Sequence, residues 1–179
     1  MTIAALPLIP LLLAFVPVLA LRGGRNACAL ATGAVTLLTL VILFSTVPTV
    51  WSGGVARAAF PWAPQFGLTY SIFVDPLGLF FASLILIIGL LVITYARFYL
   101  AAEDPMGRFY AYLLLFQGAM VGVVLADNIL LLAVFWELTS LSSFLLIGYW
   151  RAVPEGRQGA RMALMVTGGG GLALLAGLV

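Results

Sequence analysis

The chain has 179 residues, of which 64% are apolar and 8% are charged, and its formal net charge is +2. A water-soluble domain carries about 25% charged residues, so this composition excludes a soluble fold and is typical of an integral membrane protein. The eight basic residues are all Arg and lie scattered between apolar runs, which argues against nucleic-acid binding. With no His, a single thiol (Cys28) and no nucleotide-binding loop, we expect no disulfide, no metal site and no cofactor.

Six apolar segments are long enough for transmembrane helices, because about 20 residues rising ~1.5 Å each cross a hydrocarbon core of ~30 Å. They cover residues 3–21, 27–47, 76–97, 109–126, 128–150 and 159–179. The sequence therefore predicts an all-α, polytopic membrane bundle of about six helices. Residues 1–75 hold two leading helices and a long outer loop, and residues 76–179 hold helices three to six.

The first segment has no basic residue before it, so we interpret it as a retained helix rather than a signal peptide. We expect it to be kinked or frayed near Pro7, Pro10 and Pro17, since proline cannot donate the helical hydrogen bond.

The distribution of Arg predicts the orientation of the chain in the membrane. Seven of the eight lie in or at the ends of the connections that follow the first, third and fifth segments, whereas Arg57 alone lies in the loop 48–75. By the positive-inside rule, the Arg-bearing connections face the cytoplasm, which places the N-terminus outside in a multi-pass cell-membrane protein. Trp51, Trp62 and Tyr70 in the outer loop are typical of an aromatic cap at the membrane interface.

Three aspartates are predicted to cap the helices that follow them. Asp75 and Asp104 each precede a proline, and Asp127 precedes Asn128 in a connection short enough to force an antiparallel helix hairpin. A carboxylate just before a helix accepts hydrogen bonds from its free N–H groups, and proline suits the first helical turn.

Small residues predict where the helices approach closely. Gly118, Gly122 and Ala126 form one strip and Gly169, Ala173 and Gly177 form another, a spacing that permits tight packing in lipid. The run 168–171 is four consecutive glycines, which indicates either very close packing or a functional bend.

The last apolar segment reaches Val179 without a polar flank, an aromatic anchor or a basic residue, and the six helices contain no visible repeat. We therefore expect a fragment of a longer protein, or a subunit that ends against its partners.

Glu137 is the one carboxylate predicted to lie deep in the membrane, about ten residues from either end of the fifth segment. A charged side chain at that depth costs roughly 2.5–3.5 kcal/mol on insertion scales, and Glu is too short to reach the interface. It must therefore be protonated, paired or beside water, and an intramembrane carboxyl of this kind is typical of proton transfer. The alternative is a neutral Glu hydrogen-bonded between helices. Every Arg is in a loop or at a helix end, so we expect its cationic partner to lie outside this sequence.

Two polar residues are candidates to line the same zone as Glu137. Ser140 lies one helical turn further on and shares its face. Gln117 lies near the middle of the fourth segment and either lines this zone or bonds another helix, because a buried amide in lipid needs a partner. Hydroxyls of membrane helices more often bond the carbonyl one turn earlier, and this alternative applies to Ser140 as well.

Three stretches of the sequence resemble a known family. Residues 108–132, 135–150 and 73–79 are similar to the antiporter-like membrane subunits shared by Mrp-type sodium/proton antiporters and the proton-pumping arm of respiratory complex I. Within them, residues 136–143 (WELTSLSS) favour the N-terminal part of the A-type subunit of the Mrp antiporter, because the large complex I subunit more often has glycines just after this Trp-Glu pair.

The resemblance implies a mechanism and a set of partners. In this family the matching Glu pairs with a Lys on a later broken helix, and further Lys or His residues carry protons across the middle of the membrane. Only the Glu carries over here, as Glu137, because the chain has no Lys. The resemblance thus implies proton transfer coupled to sodium exchange in a complex of several subunits, with this chain supplying three leading helices and the first three of a five-helix repeat.

Two other functions stay open on the sequence alone. One is the proton-pumping, antiporter-like subunit of NADH–quinone oxidoreductase or a related hydrogenase complex. The other is a purely structural six-helix membrane protein, in which Glu137 has no transport role.

Overall fold

The protein is described by a computed structural model that covers residues 2–63, 65, 68–101, 103–150 and 153–178. Within these residues the fold is a polytopic helical bundle with one β-hairpin, and five helical stretches are long and apolar enough to cross a membrane. The elements are α1 Leu8–Leu12, α2 Val16–Ala20, α3 Gly24–Phe44, α4 Val47–Trp51, β1 Ala56–Ala63, β2 Leu68–Val74, α5 Pro76–Tyr99, α6 Met106–Leu125, α7 Ile129–Ile147 and α8 Pro154–Leu178.

The first apolar segment is divided into short helical pieces. A 3-10 turn at Thr2–Ala5 leads into α1, and α2 runs into a second 3-10 turn at Leu21–Gly23. Pro7 stands directly before α1, and Pro17 lies in the first turn of α2. Because a proline lacks the N–H that would bond the preceding turn, these positions interrupt a helix that the hydropathy alone would make continuous. The predicted kinks near the prolines are confirmed.

The central helix of the fold is α6, which packs against α1, α2, α3, α5 and α7. Its glycines permit this. A Cβ on Gly118 would lie 2.7 Å from Leu11 Cγ and 2.8 Å from the Pro7 carbonyl oxygen, and a Cβ on Gly122 would overlap the Phe135 ring of α7. The close approach predicted for this strip of small residues is therefore confirmed. In contrast, α8 packs mainly on α7, and Gly169 and Gly177 have nothing within 4 Å of a Cβ.

The loop 48–75 contains a β-hairpin that was not predicted. Strands β1 and β2 pair antiparallel, from Ala56 opposite Val74 to Phe60 opposite Tyr70, with an irregularity at Pro61/Ala63. The sequence of β2, Leu68–Val74, is rich in the β-branched and aromatic residues that favour strands. The β1 sequence hides the pattern, since four of its eight residues are Ala and Pro61 interrupts it.

Asp127, in the turn between α6 and α7, binds the hairpin through hydrogen bonds and an ion pair. Its backbone N–H donates to the Ser71 carbonyl at 2.9 Å, and its carboxylate accepts from Ser71 Oγ at 2.6 Å. Arg57 pairs with the same carboxylate at 2.5 Å. The Ser71 hydrogen bond, followed by the Arg57 interaction, lowers the pKa of Asp127 below its usual value.

Of the three predicted aspartate caps, one is confirmed and two are wrong. Asp75 accepts from the Gly78 N–H at 2.6 Å and caps α5. Asn128, not Asp127, caps α7 by accepting from the Leu131 N–H at 2.8 Å, because Asp127 is occupied by the hairpin.

The third predicted cap, Asp104, is also engaged elsewhere. Its carboxylate accepts from the Ala101 N–H at 2.9 Å and from Trp150 Nε1 at 3.2 Å. Helix α6 therefore begins at Met106, and its N-cap residue, Pro105, provides no side-chain hydrogen bond.

Candidate functional site

The candidate site is the middle of α7. Asn128 fixes the start of the helix, and an unbroken apolar run extends it to Ile147. Glu137 lies eight residues after Ile129 and ten before Ile147, which is about 12–15 Å from each helix end. Glu137 therefore lies near the middle of α7.

The carboxylate of Glu137 lies against the backbone of α8. A Cβ built on Gly171 would overlap Glu137 Oε1, and a Cβ on Gly168 would lie 3.8 Å from Oε2. Helix α8 stays helical through all four glycines, so this run acts as a close-packing surface at Gly171. At Gly169 and Gly170 nothing lies within 4 Å of a Cβ. Within the run, a side chain would clash at Gly171 but not at Gly169 or Gly170.

The surroundings of Glu137 are apolar. The half-buried side chain borders a cleft of about 580 Å³ between α7 and α8. The apolar wall of this cleft includes Ala133, Val134, Leu138, Leu172 and Leu175. Among the described residues, Glu137 makes no hydrogen bond, and the one ion pair is between Arg57 and Asp127. The part of the chain covered by the structure therefore supplies no cation to this carboxyl.

Ser140 shares the helix face of Glu137 but bonds its own backbone. It is buried, and its hydroxyl donates to the Trp136 carbonyl one turn earlier at 3.3 Å. Ser142 and Ser143 make the same kind of bond to Leu138 and Ser140, at 2.7 and 2.9 Å. These three hydroxyls therefore donate hydrogen bonds to carbonyls of their own helix, as is common in membrane helices.

Gln117 lies in a different interface. It is 2% exposed, its Oε1 accepts from Thr36 Oγ1 of α3 at 2.9 Å, and its amide nitrogen lies where a Cβ on Gly89 of α5 would be. Gln117 thus bonds another helix, which was one of the two predicted alternatives. The structure does not bring it into contact with Glu137, which faces α8.

The sequence did not reveal the residues that make room for, or bond, the side chains of Glu137 and Gln117. Gly171 was noted only as part of a glycine run, and Gly89 was not singled out. Thr36 has a signal that could have revealed it, since Thr32, Thr36 and Thr39 recur on one face of α3 and all three are buried.

Two family models match this chain in succession. Residues 62–110 match the model described as the N-terminus of chain 5 of NADH-ubiquinone oxidoreductase (complex I). Residues 126–179 match the transmembrane model described for NADH:quinone oxidoreductase and the Mrp antiporter. Together, the two matches cover more than half of the chain.

Two curated relatives indicate the type of subunit within this family. A probable K(+)/H(+) antiporter subunit, of type A/B, from Rhizobium meliloti (strain 1021) is 45% identical over 155 residues, which are 87% of this chain and 16% of that protein. A Na(+)/H(+) antiporter subunit, of type A1, from Staphylococcus aureus (strain JH9) is 40% identical over 145 residues, which are 81% of this chain and 18% of that protein. The chain belongs to the family of A-type subunits of Mrp antiporters. It spans less than a fifth of the length of these two relatives.

Solved structures agree with this family. A chain of the Mrp complex from Dietzia sp. DQ12-45-1b superposes with a TM-score of 0.86 at 32% identity, over 98% of this chain and 19% of that chain. A chain of the membrane-bound sulfane sulfur reductase, an archaeal respiratory membrane complex, superposes with a TM-score of 0.78. Its identity of 23% supports the shared fold alone. The helical arrangement is thus shared with part of a chain of the Mrp complex.

Proposed function

We propose that this chain is the N-terminal helical part of a monovalent cation/proton antiporter subunit, in which Glu137 takes up and releases protons near the middle of the membrane. The observation that carries the proposal is the position of Glu137. Its carboxylate lies at the centre of a membrane-length helix, beside an apolar cleft, and has no cationic partner among the described residues.

The chemistry follows from the cost of charge in lipid. A charged, unpaired carboxylate at this depth has a high free-energy cost, so a proton neutralises it whenever no cation is near. A cation that approaches stabilises the charged form and releases the proton, and a cation that withdraws reverses the step. The basic partner and the remaining transfer groups belong to the longer protein and its complex.

The exchanged ion is a monovalent cation, and we favour sodium. The Staphylococcus relative is named for Na(+)/H(+) exchange, whereas the Rhizobium relative is named for probable K(+)/H(+) exchange, so the two relatives differ in the ion. Because relatives of one family are named for different ions, we assign ion selection to the complex and not to Glu137 alone.

The test is the Glu137→Gln substitution in the complete complex, assayed in everted membrane vesicles as the sodium- or potassium-induced collapse of a proton gradient. Gln keeps the shape and polarity of the side chain but cannot release a proton. We expect antiport to fall to background while the complex assembles normally. Glu155→Gln is the matched control, because Glu155 is exposed in the first turn of α8 and should leave exchange unchanged.

Normal antiport by the Glu137→Gln complex would overturn the proposal. It would favour the structural alternative, in which Glu137 is merely a neutral hydrogen-bonding group. Loss of assembly in this variant, with normal specific exchange in the complexes that remain, would also contradict a role in proton transfer.

A second candidate function is supported by the match of residues 62–110 to the complex I model. In that case the chain belongs to a proton-pumping, antiporter-like subunit of a quinone-reducing or hydrogenase-type complex. Purification of the complex decides between them. Flavin or iron–sulfur subunits in the purified complex, together with proton pumping driven by electron transfer, would favour this candidate over the antiporter.

A further inference from the structure

A second cavity lies away from Glu137, at the end of the bundle where α7 finishes and α8 begins. It has a volume of about 500 Å³ and is bounded by three helices. Tyr112 of α6 and Phe144 and Leu145 of α7 form its apolar walls, and Arg157 and Arg161 of α8 stand at its edge.

The two arginines are exposed and lie four residues apart, so they project from the same face of α8. Like charges at this spacing repel each other. Arg161 Nε donates to the Arg157 carbonyl at 3.4 Å, which leaves the ends of both guanidinium groups free of hydrogen bonds to described residues. In the described part of the chain, the one ion pair is between Arg57 and Asp127, at the other end of the bundle.

The cavity therefore has a cationic mouth and an apolar interior. Arg157 lies in the first turn of α8, near the helix end, whereas Phe144 lies one helical turn deeper than Gly148, where α7 ends. This order of charge and apolar surface along the membrane normal is complementary to an amphiphile with an anionic head. Basic cavities between transmembrane helices recognise anionic lipid head groups in this way.

We propose that this cavity binds an anionic phospholipid. The phosphate sits between Arg157 and Arg161, whose planar guanidinium groups match phosphate oxygens two at a time. One acyl chain runs along Phe144 and Leu145 within this cavity. Binding relieves the repulsion between the two arginines and covers apolar surface in a single step, without a contribution from Glu137.

The test uses the complete complex in lipid nanodiscs that contain a photoreactive phosphatidylglycerol. After irradiation, crosslinked peptides are identified by mass spectrometry. We expect crosslinks to the segment that holds Phe144 and Leu145. In the Arg157→Gln/Arg161→Gln double variant, crosslinking should fall by about tenfold or more, because one charge-assisted hydrogen bond is worth about a factor of ten.

Arg22→Gln is the matched control. Arg22 is exposed in the 3-10 turn Leu21–Gly23, at the same end of the bundle, since Leu21 lies beside Gly107 at the start of α6. This variant loses one positive charge at that end and should keep the crosslink. Equal losses in both variants would overturn the proposal, because they would indicate a general attraction of lipid to positive charge.

Two further measurements on the wild-type complex keep the proposal testable even if the double variant does not fold. A photoreactive phosphatidylcholine, which has no net charge, should crosslink to this segment about tenfold less than the phosphatidylglycerol. Excess inorganic phosphate should not displace the lipid, because a free anion lacks the acyl chain. Equal crosslinking by both lipids, or displacement by phosphate, would contradict a site for an anionic phospholipid. The absence of any crosslink would overturn the proposal as well, because it would mean that protein covers the cavity.

Discussion

At the scale of single residues, the position of the Glu137 carboxylate depends on the absence of a side chain at Gly171. A Cβ at that position would overlap Glu137 Oε1 and lie 3.0 Å from Trp136 Cδ1. Gly171→Ala should therefore displace the carboxylate from the face of α8. We expect antiport to fall by about tenfold or more, since a shift of about 1 Å in a reacting group can cost 10²-fold. The measurement is cation-induced collapse of a proton gradient in everted vesicles.

The glycine run supplies its own control for this substitution. Gly170→Ala adds the same methyl group one residue away, where nothing lies within 4 Å, and should leave antiport unchanged. Alanine is favoured over glycine in a helix by about 1 kcal/mol, so a loss of activity in Gly171→Ala could not arise from a weakened helix. Equal activity of the two variants would show that Glu137 does not need this position. If Glu137→Gln kept its activity, the proposed function would fail whatever Gly171→Ala did.

Glu137 could be singled out from the sequence as a candidate because a single carboxylate in a long apolar run has only a few physical explanations. Its contact with Gly171 could not, because the helix register between α7 and α8 depends on the packing of both. The same limit applies to Asp127. As a residue before a helix it resembles a cap, but Ser71 and Arg57, more than fifty residues away in sequence, take its carboxylate.

At the scale of the helices, Gln117 and Gly89 form an interlocking contact between α6 and α5. The Gln117 amide fills the space that a side chain at Gly89 would need, and its Oε1 accepts from Thr36 of α3. Gly89→Ala should therefore overpack this interface, at a cost of about 1–3 kcal/mol. We expect a lower melting temperature for the purified complex, and Gln117→Ala in the same chain should recover part of the loss by removing the amide.

Gly33→Ala is the control for overpacking, because Gly33 lies within α3 with nothing within 4 Å of a Cβ. That variant should melt at or slightly above the wild-type temperature, since alanine favours the helix. A Gly89→Ala complex that melts like the wild type would mean that α5 and α6 can separate freely at this point. Simple addition of the effects in the Gly89→Ala/Gln117→Ala double variant would indicate that the two residues do not interact.

The long helices were predictable and the irregular elements were not. Hydropathy located α3, α5, α6, α7 and α8 to within a few residues, because about twenty apolar residues have few alternatives to a membrane helix. The division of the first segment into α1 and α2 followed from its prolines. The hairpin was missed because the alanines and Pro61 of β1 give no strand pattern, so its pairing with β2 becomes evident only in three dimensions.

At the scale of the whole molecule, the two ends of the bundle differ in charge. Side-chain contacts bring several arginines to one end. Arg25 donates to the carbonyls of Arg97 and Leu100, and Arg108 donates to the Tyr149 carbonyl at 2.8 Å. The other end carries the β-hairpin with Arg57. The fold therefore keeps the asymmetry from which the sequence predicts a cytoplasmic face and an outer face.

This asymmetry predicts which loops are reached from each side of the membrane. Ser52, beside the hairpin, and Glu103, between α5 and α6, are both exposed. In a complex from which other reactive cysteines have been removed, including Cys28→Ala, we introduce Ser52→Cys or Glu103→Cys. A membrane-impermeant maleimide added to intact cells should label the cysteine at position 52 and not that at 103, and everted vesicles should give the opposite pattern.

Detergent permeabilisation provides the control, because both positions must then react if both are exposed. The reversed pattern in intact cells would mean that the arginine-rich end faces outward. The proposed depth of Glu137 would survive that result, since it depends only on the position of Glu137 within α7. In the proposed mechanism, a proton moving from Glu137 to the cytoplasm would then leave the bundle at the hairpin end and not at the arginine-rich end.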